Sequence, residues 1–242
     1  MFDFEELDYQ KTPHGEISLR RRAEPRLAGQ IVYEVKLGDE FLMSSLFTES
    51  EIQLARLALA ELEGDSLDIL VGGLGLGYTA MAALESPAVS ALTVVEVMAP
   101  VIDWHRRGLV PLGEPLVADP RSRLLQADFF ALAMAPGNSF FEEQPQRQVD
   151  AVLLDIDHSP SHWLNPSNSG LYTPEGLHCL ARKIRPGGLF GLWSNEPPSD
   201  PFMRLLESQF VSPASHVVSF PNPYQGGESA CTVYLARNAT GA

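Results

Sequence analysis

Cysteine is scarce: the 242 residues hold only Cys179 and Cys231. Two cysteines make neither a disulfide framework nor a thiolate metal set. The six histidines are scattered without ligand spacing, so no metal is expected. No apolar run approaches the ~20 residues that a membrane span needs. The opening segment "MFDFEELDYQ" is acidic and lacks an apolar secretory core, which reads as a cytoplasmic protein. Positive charge is also short, with 17 Lys and Arg against 31 Asp and Glu. A formal charge of −14 argues against a nucleic-acid partner and suits either plain solubility or a cationic substrate. Hydrophobic residues reach 45%, enough for a sizeable core.

Strand and helix patterns then alternate. "GEISLRRRAEP" and "GQIVYEVKLGDEFLMSS" read as strands, with Arg20, Arg21 and Arg22 on a solvent face. "TESEIQLARLALAELEG" reads as a helix, with Thr48 and Glu51 at capping-box spacing. Beyond it, strands fit "LDILVGG", "ALTVVEV", "SRLLQAD", "DAVLLDID", "GGLFGLWS", "ASHVVSF" and "SACTVYLA". Helices fit "YTAMAALE", "APVIDWHRRG", "PEGLHCLARKI" and "DPFMRLLESQF". This alternation predicts an α/β, Rossmann-like fold: a mostly parallel seven-stranded sheet with helices on both faces. A small N-terminal β-strand region, residues 1–46, precedes this larger Rossmann-like domain, residues 47–242. Trp104 and His105 read as packing on the second of these later helices, and Cys179 as part of a buried helix face.

"ILVGGLGLGYTA" is where chemistry enters. Gly73, Gly75 and Gly77 follow an apolar strand, and such glycines let a backbone turn sharply beside a ligand. Gly75, Gly77 and Ala80 fit the dinucleotide pattern G-x-G-x-x-A, and Gly73, Gly75 and Gly77 fit the G-x-G-x-G turn of a nucleoside-binding methyltransferase-type fold equally well. Glu96 ends the next strand, nineteen residues past Gly77, where an acid accepts both ribose hydroxyls. Asp128 and Asp155 each stand where a later strand gives way to a loop. A ring of carboxylates at one sheet edge suits an adenosyl group with a cationic tail. Asp128 would accept from the adenine amino group while the Phe129 backbone meets the ring edge, and Asp128 is equally placed to cap "FFALAMA".

"DILVGGLGLGYTA", "TVVEV", "LLQADFF", "DAVLLDID" and "IRPGGLFGLWS" resemble the motifs of the spermidine synthase family of aminopropyltransferases. The resemblance covers roughly residues 30–236. It implies a class I S-adenosylmethionine-dependent methyltransferase-like fold, and S-adenosylmethionine or its decarboxylated form as donor. It also implies a small, amine-type acceptor and a homodimer or higher homo-oligomer. Association is expected through the N-terminal strands, whose hairpin edge would otherwise stay open. The family's acid in its G-G-G-D-G turn is Leu76 here, and its second acid after the ribose-binding Glu is Met98. Its D-x-x-D-P motif becomes "DIDHSP", with Asp155 kept and His158 at the second acid's place. These departures lead to the expectation that putrescine is a poor acceptor.

Asp155 is the catalytic candidate, orienting the amine and taking its proton. Asp157 and His158 beside it are further candidates, His158 as a proton acceptor. The long loop "SPSHWLNPSNSGLYTPEG" has lid length, with Trp163, Tyr172, Asn165 and Asn168 able to close over a ligand. Trp193 ends the fifth strand of the sheet and points at the same edge. The competing readings are an S-adenosylmethionine-dependent methyltransferase, an NAD-dependent oxidoreductase and a nucleoside-binding protein without turnover.

Overall fold

The computed structural model describes residues 4–239. Two sheets organise the chain. Strands β1 (Phe4–Thr12), β2 (Gly15–Glu24), β3 (Gln30–Leu37) and β4 (Glu40–Ser44) form an antiparallel sheet in sequential order. From Phe4 on, the opening acidic segment is therefore a strand, which its composition does not suggest. Its acids meet the arginines of β2: Glu5 lies opposite Arg21 and Glu6 opposite Arg20. Arg20 and Arg22 both reach Glu34, so carboxylates of the same sheet occupy these arginines.

The second sheet has seven strands in the order β10-β11-β9-β8-β5-β6-β7. They are β5 (Leu67–Gly72), β6 (Val89–Glu96), β7 (Ser122–Gln126), β8 (Val149–Leu154), β9 (Ile184–Ser194), β10 (Val211–Asn222) and β11 (Gly227–Arg237). Pairings among β5 to β9 are parallel, and the β10–β11 hairpin closes the sheet antiparallel to β9. Both faces of the central strands are buried. Ile69 and Val71 of β5 join one core, while Leu70 between them joins the other. Continuous apolar runs such as "DILVG" and "AVLL" are what such a two-sided strand requires.

Helices α1 (Glu49–Ala60), α2 (Tyr78–Leu84), α3 (Ala99–Arg106) and α4 (Gly113–Ala118) are joined to the first core by residues such as Leu54, Ala83, Trp104 and Leu116. Helices α5 (Phe129–Met134), α6 (Pro174–Ala181) and α7 (Asp200–Glu207) join the second through Phe130, Leu177 and Phe202. Helix α6 stops three residues before the end of the apolar stretch that predicts it, because Ile184 already starts β9. Cys179 is half-buried while its neighbours Leu177 and Leu180 are fully buried, so the buried face passes beside it. The chain runs from β5 outward to β7, then returns to the other side of β5 as β8. Loops at the carboxyl ends of β5 and β8 therefore diverge and leave a crevice, the usual ligand position in an open α/β sheet.

Among the described residues, no helix is long and apolar enough to cross a membrane.

Candidate active site

The crevice at that switch point is a cavity of about 200 Å³. The carboxyl edge of the large sheet lines one side, through Gly73, Gly75, Glu96, Asp128, Phe129, Asp155, His158 and Trp193. The small sheet supplies Ile17, Val35, Leu37, Leu42 and Met43 to the lining.

The turn after β5 is held tightly. Gly73, Gly75 and Gly77 all have positive φ, at 97°, 46° and 91°, where L side chains are strained. Gly73 and Gly75 line the cavity. Gly77 lies outside the lining and is the residue before α2, packed on buried His105. His105 approaches the Gly75 carbonyl through Nε2 at 3.0 Å, and burial lowers its pKa, keeping the imidazole neutral. Leu76, at the position of the family's acid, is fully buried in the first core and does not line the cavity. Met98 does line it.

Glu96 is clasped by the turn. Its Oε2 accepts from the Leu74 N–H at 3.0 Å and its Oε1 from the Met98 N–H at 2.8 Å. Burial pushes its pKa up, and the backbone N–H groups around it pull it back. The Val97 and Gly75 N–H groups also face it, so a ribose diol would share the four lone pairs of this carboxylate with the backbone around it. Asp128 is exposed at the cavity rim and caps α5, with Oδ1 accepting from the Phe130 and Ala131 N–H groups at 2.9 and 3.1 Å. The Phe129 ring packs under Gly72, where a Cβ would sit 2.7 Å from it.

Asp155 begins the loop after β8. Its backbone N–H donates to the Gly72 carbonyl, and its Oδ2 accepts from Thr79 Oγ1 at 2.7 Å. Burial raises its carboxyl to about 6, with the Thr79 bond pulling the other way. The site has a second acid, Glu51, whose spacing from Thr48 predicts a capping box instead. Thr48 makes no side-chain cap on α1, and Glu51 does not turn back to complete a capping box. Instead Glu51 is 6% exposed and lines the cavity with Asp155. Burial, and then the Asp155 charge, raise its carboxyl to about 8. A chain of bonds supports it: Trp193 Nε1 donates to Ser50 Oγ at 2.8 Å, and Ser50 Oγ donates to Glu51 Oε2 at 2.9 Å. The clue in the sequence is helical spacing. Glu51 is one turn before Leu54 and Ala55, and two before Ala58, so it heads the buried stripe of α1.

Asp157 is placed apart from the cavity lining. Strand alternation would set it on the same face as Asp155, but β8 ends at Leu154 and the two diverge. Its Oδ1 accepts from the Leu164 N–H and Asn168 Nδ2, and its Oδ2 from the Tyr172 hydroxyl, each at 2.8 Å. Asp157 therefore ties down the loop that follows β8. Tyr172 and Trp163 are likewise outside the lining: Trp163 stacks on Tyr172 at 6.4 Å and donates Nε1 to the Pro160 carbonyl. The part of this loop that reaches the cavity is Leu164, Asn165, Ser167 and Asn168.

His158 Nε2 is 2.7 Å from Oε1 of Glu40, which begins β4. The His162 ring stands 4.9 Å from that of His158. The donor atoms of Glu40, His158 and His162 lie within 4.8 Å of one another, a juxtaposition hidden from sequence spacing because Glu40 is 118 residues from His158.

No protein-family model matches the sequence, and no curated protein matches it. Solved structures do. A spermidine synthase in complex with the transition-state analogue AdoDATO is 16% identical, with a TM-score of 0.71 over 98% of this chain and 73% of its own. Spermidine synthase from Thermotoga maritima is 17% identical, with a TM-score of 0.72 over 98% of this chain and 74% of its own. A probable spermidine synthase from Corynebacterium glutamicum is 16% identical, with a TM-score of 0.64 over 96% of this chain and 80% of its own. The chain has the fold of the spermidine synthases.

Proposed function

We propose that this protein is a transferase that moves an aminopropyl group from decarboxylated S-adenosylmethionine to a small amine. The observation that carries the reading is one cavity with Glu96 and Asp128 at the β6 and β7 ends and, beside them, buried Glu51 and half-buried Asp155. Glu96 would accept from the ribose diol and Asp128 from the adenine amino group. The donor supplies an electrophilic carbon beside a sulfonium. The acceptor's lone pair forms the C–N bond, the C–S pair goes to sulfur, and the new ammonium loses a proton to Asp155. Burial, and for Glu51 the Asp155 charge as well, push this pair of carboxyls up from the usual carboxylate range toward neutrality, which suits them to proton transfer there.

The lining also bears on which donor fits. It contains four acids and no lysine or arginine. A donor that keeps its carboxylate, as in methyl transfer, would set it among these acids with no lysine or arginine to pair it. The pyrophosphate of NAD would meet the same repulsion. The acceptor side is apolar, formed by Ile17, Val35, Leu37, Leu42 and Met43. A monoamine with an apolar tail fits there, whereas the distal ammonium of putrescine would lose its hydration against these side chains. The test is to supply decarboxylated S-adenosylmethionine with putrescine or with a linear alkylamine and to measure methylthioadenosine. The alkylamine should react faster, and Asp155→Asn should slow the reaction by about 10²–10⁴-fold. Rapid spermidine formation would refute the acceptor class. Tight methylthioadenosine binding without product from any amine would favour a nucleoside-binding protein.

A further inference from the structure

We propose that Glu40, His158 and His162 form a site for a divalent transition-metal ion such as Zn²⁺. Two imidazoles and one carboxylate are a donor set that Zn²⁺ takes, whereas Mg²⁺ and Ca²⁺ favour all-oxygen sets. The backbone already holds the imidazoles together. His158 and its loop are fixed by the Asn195 N–H, which donates to the His158 carbonyl at 2.8 Å. Ser159 and His162 then pair backbone to backbone, closing a turn that brings the second ring beside the first. Glu40 comes from a different sheet and meets His158 at 2.7 Å. Ligands at about 2.0–2.1 Å in a tetrahedral site stand roughly 3.3 Å from one another. To reach it the widest separation, up to 4.8 Å, must close and the 2.7 Å Glu40–His158 contact must open slightly; His162 and Glu40 have solvent-accessible side chains to rotate. Three protein ligands leave a fourth position for water. The ion would join the start of β4 to the loop after β8 and so hold the small sheet against the cavity, where His158 is part of the lining. This site does not depend on the transferase reading.

Titration of the whole protein with Co²⁺ as a spectroscopic stand-in, followed by displacement with Zn²⁺, tests it. One Co²⁺ per chain should bind, with the strong visible absorption of a tetrahedral site. Changes to groups outside a metal's own ligands cost 10–100-fold, so loss of a ligand in His162→Ala or Glu40→Gln should weaken binding by at least about tenfold. His178→Ala, on the exposed side of α6, should bind as the wild type does. Zn²⁺ should raise the thermal midpoint of the wild type and not of His162→Ala, by mass action on the folded state. Absence of stoichiometric tetrahedral absorption would overturn the site. So would a Co²⁺ affinity that His162→Ala and Glu40→Gln leave unchanged, the mark of diffuse binding to an acidic surface.

Discussion

Replacing Glu51 by Gln should make the protein more stable at alkaline pH while impairing turnover. Glu51 is 6% exposed, so solvent screens its charge little. Its carboxyl rises from 4.5 to about 8 in the folded chain. Below pH 4.5 both folded and unfolded states hold the proton, and the shift has no effect on stability. Between 4.5 and about 8 the folded state keeps a proton that the unfolded state has released. Stability therefore falls as pH rises through this window, at up to about 1.4 kcal/mol per pH unit. Above it the whole penalty is present, on the order of a few kcal/mol. Gln cannot ionise, and its carbonyl can still accept from Ser50 Oγ. The mutant should thus escape the penalty. At about 2–4 °C per kcal/mol for a chain of this size, its thermal midpoint at pH 8.5 should exceed the wild type's by roughly 5–10 °C. The difference should vanish near pH 4.5. Thermal unfolding of both proteins across this range is the assay. Parallel curves at all pH values would show that Glu51 ionises as an ordinary surface acid, and the account of the site as a strained carboxylate pair would fail. Proteins keep such destabilising groups where function needs them.

Glu96→Gln should weaken methylthioadenosine binding by about 1.5–3 kcal/mol, because an amide NH₂ must face either the ribose or a backbone N–H; unchanged affinity in calorimetry would remove Glu96 from the nucleoside site. Asp157→Asn should lower stability by about 1–3 kcal/mol, since one amide oxygen cannot serve three donors. Denaturant unfolding measures it, and wild-type stability would refute the loop-anchor role. The N-terminal sheet leaves β1 at its edge, with Phe4 and Tyr9 56% and 45% exposed, so a dimer is expected in sedimentation at micromolar concentration. A monomer would count against association through this edge.

The large sheet was legible because strands buried on both faces leave continuous apolar runs, and because the acids that end them interrupt those runs abruptly. Glu96 and Asp155 stand out in sequence for that reason, whereas Asp128 follows the half-exposed edge strand β7 and is marked by its place before α5. Strand β1 was not legible: its residues are mostly polar, and what pairs them is charge complementarity with Arg20 and Arg21 across the ladder. Glu51 is masked in the sequence because a local rule, the capping box, offers it a partner three residues away. Its position at the head of the Leu54, Ala55 and Ala58 stripe outweighed that rule, since burying the stripe carries the acid inward with it. The Glu40 contact with His158 depends on how two sheets pack, which no local pattern encodes.

The glycine turn shows what such a motif does and does not say. Each of its three glycines has a packing reason within the protein. A Cβ on Gly73 would lie 2.1 Å from the Asp155 carbonyl oxygen, one on Gly75 would lie 2.3 Å from Met43 Sδ, and one on Gly77 would lie 2.9 Å from His105 Cε1. The turn would thus need glycine even in a protein that bound nothing. The case for a nucleoside rests instead on what surrounds it. A half-buried Glu96 is held by two backbone N–H groups at the end of β6, although burial works against its charge. A tight junction between strand and helix needs no carboxylate there. A ribose diol does, because its two hydroxyls are donors that only an acceptor with spare lone pairs can satisfy in a site shielded from water.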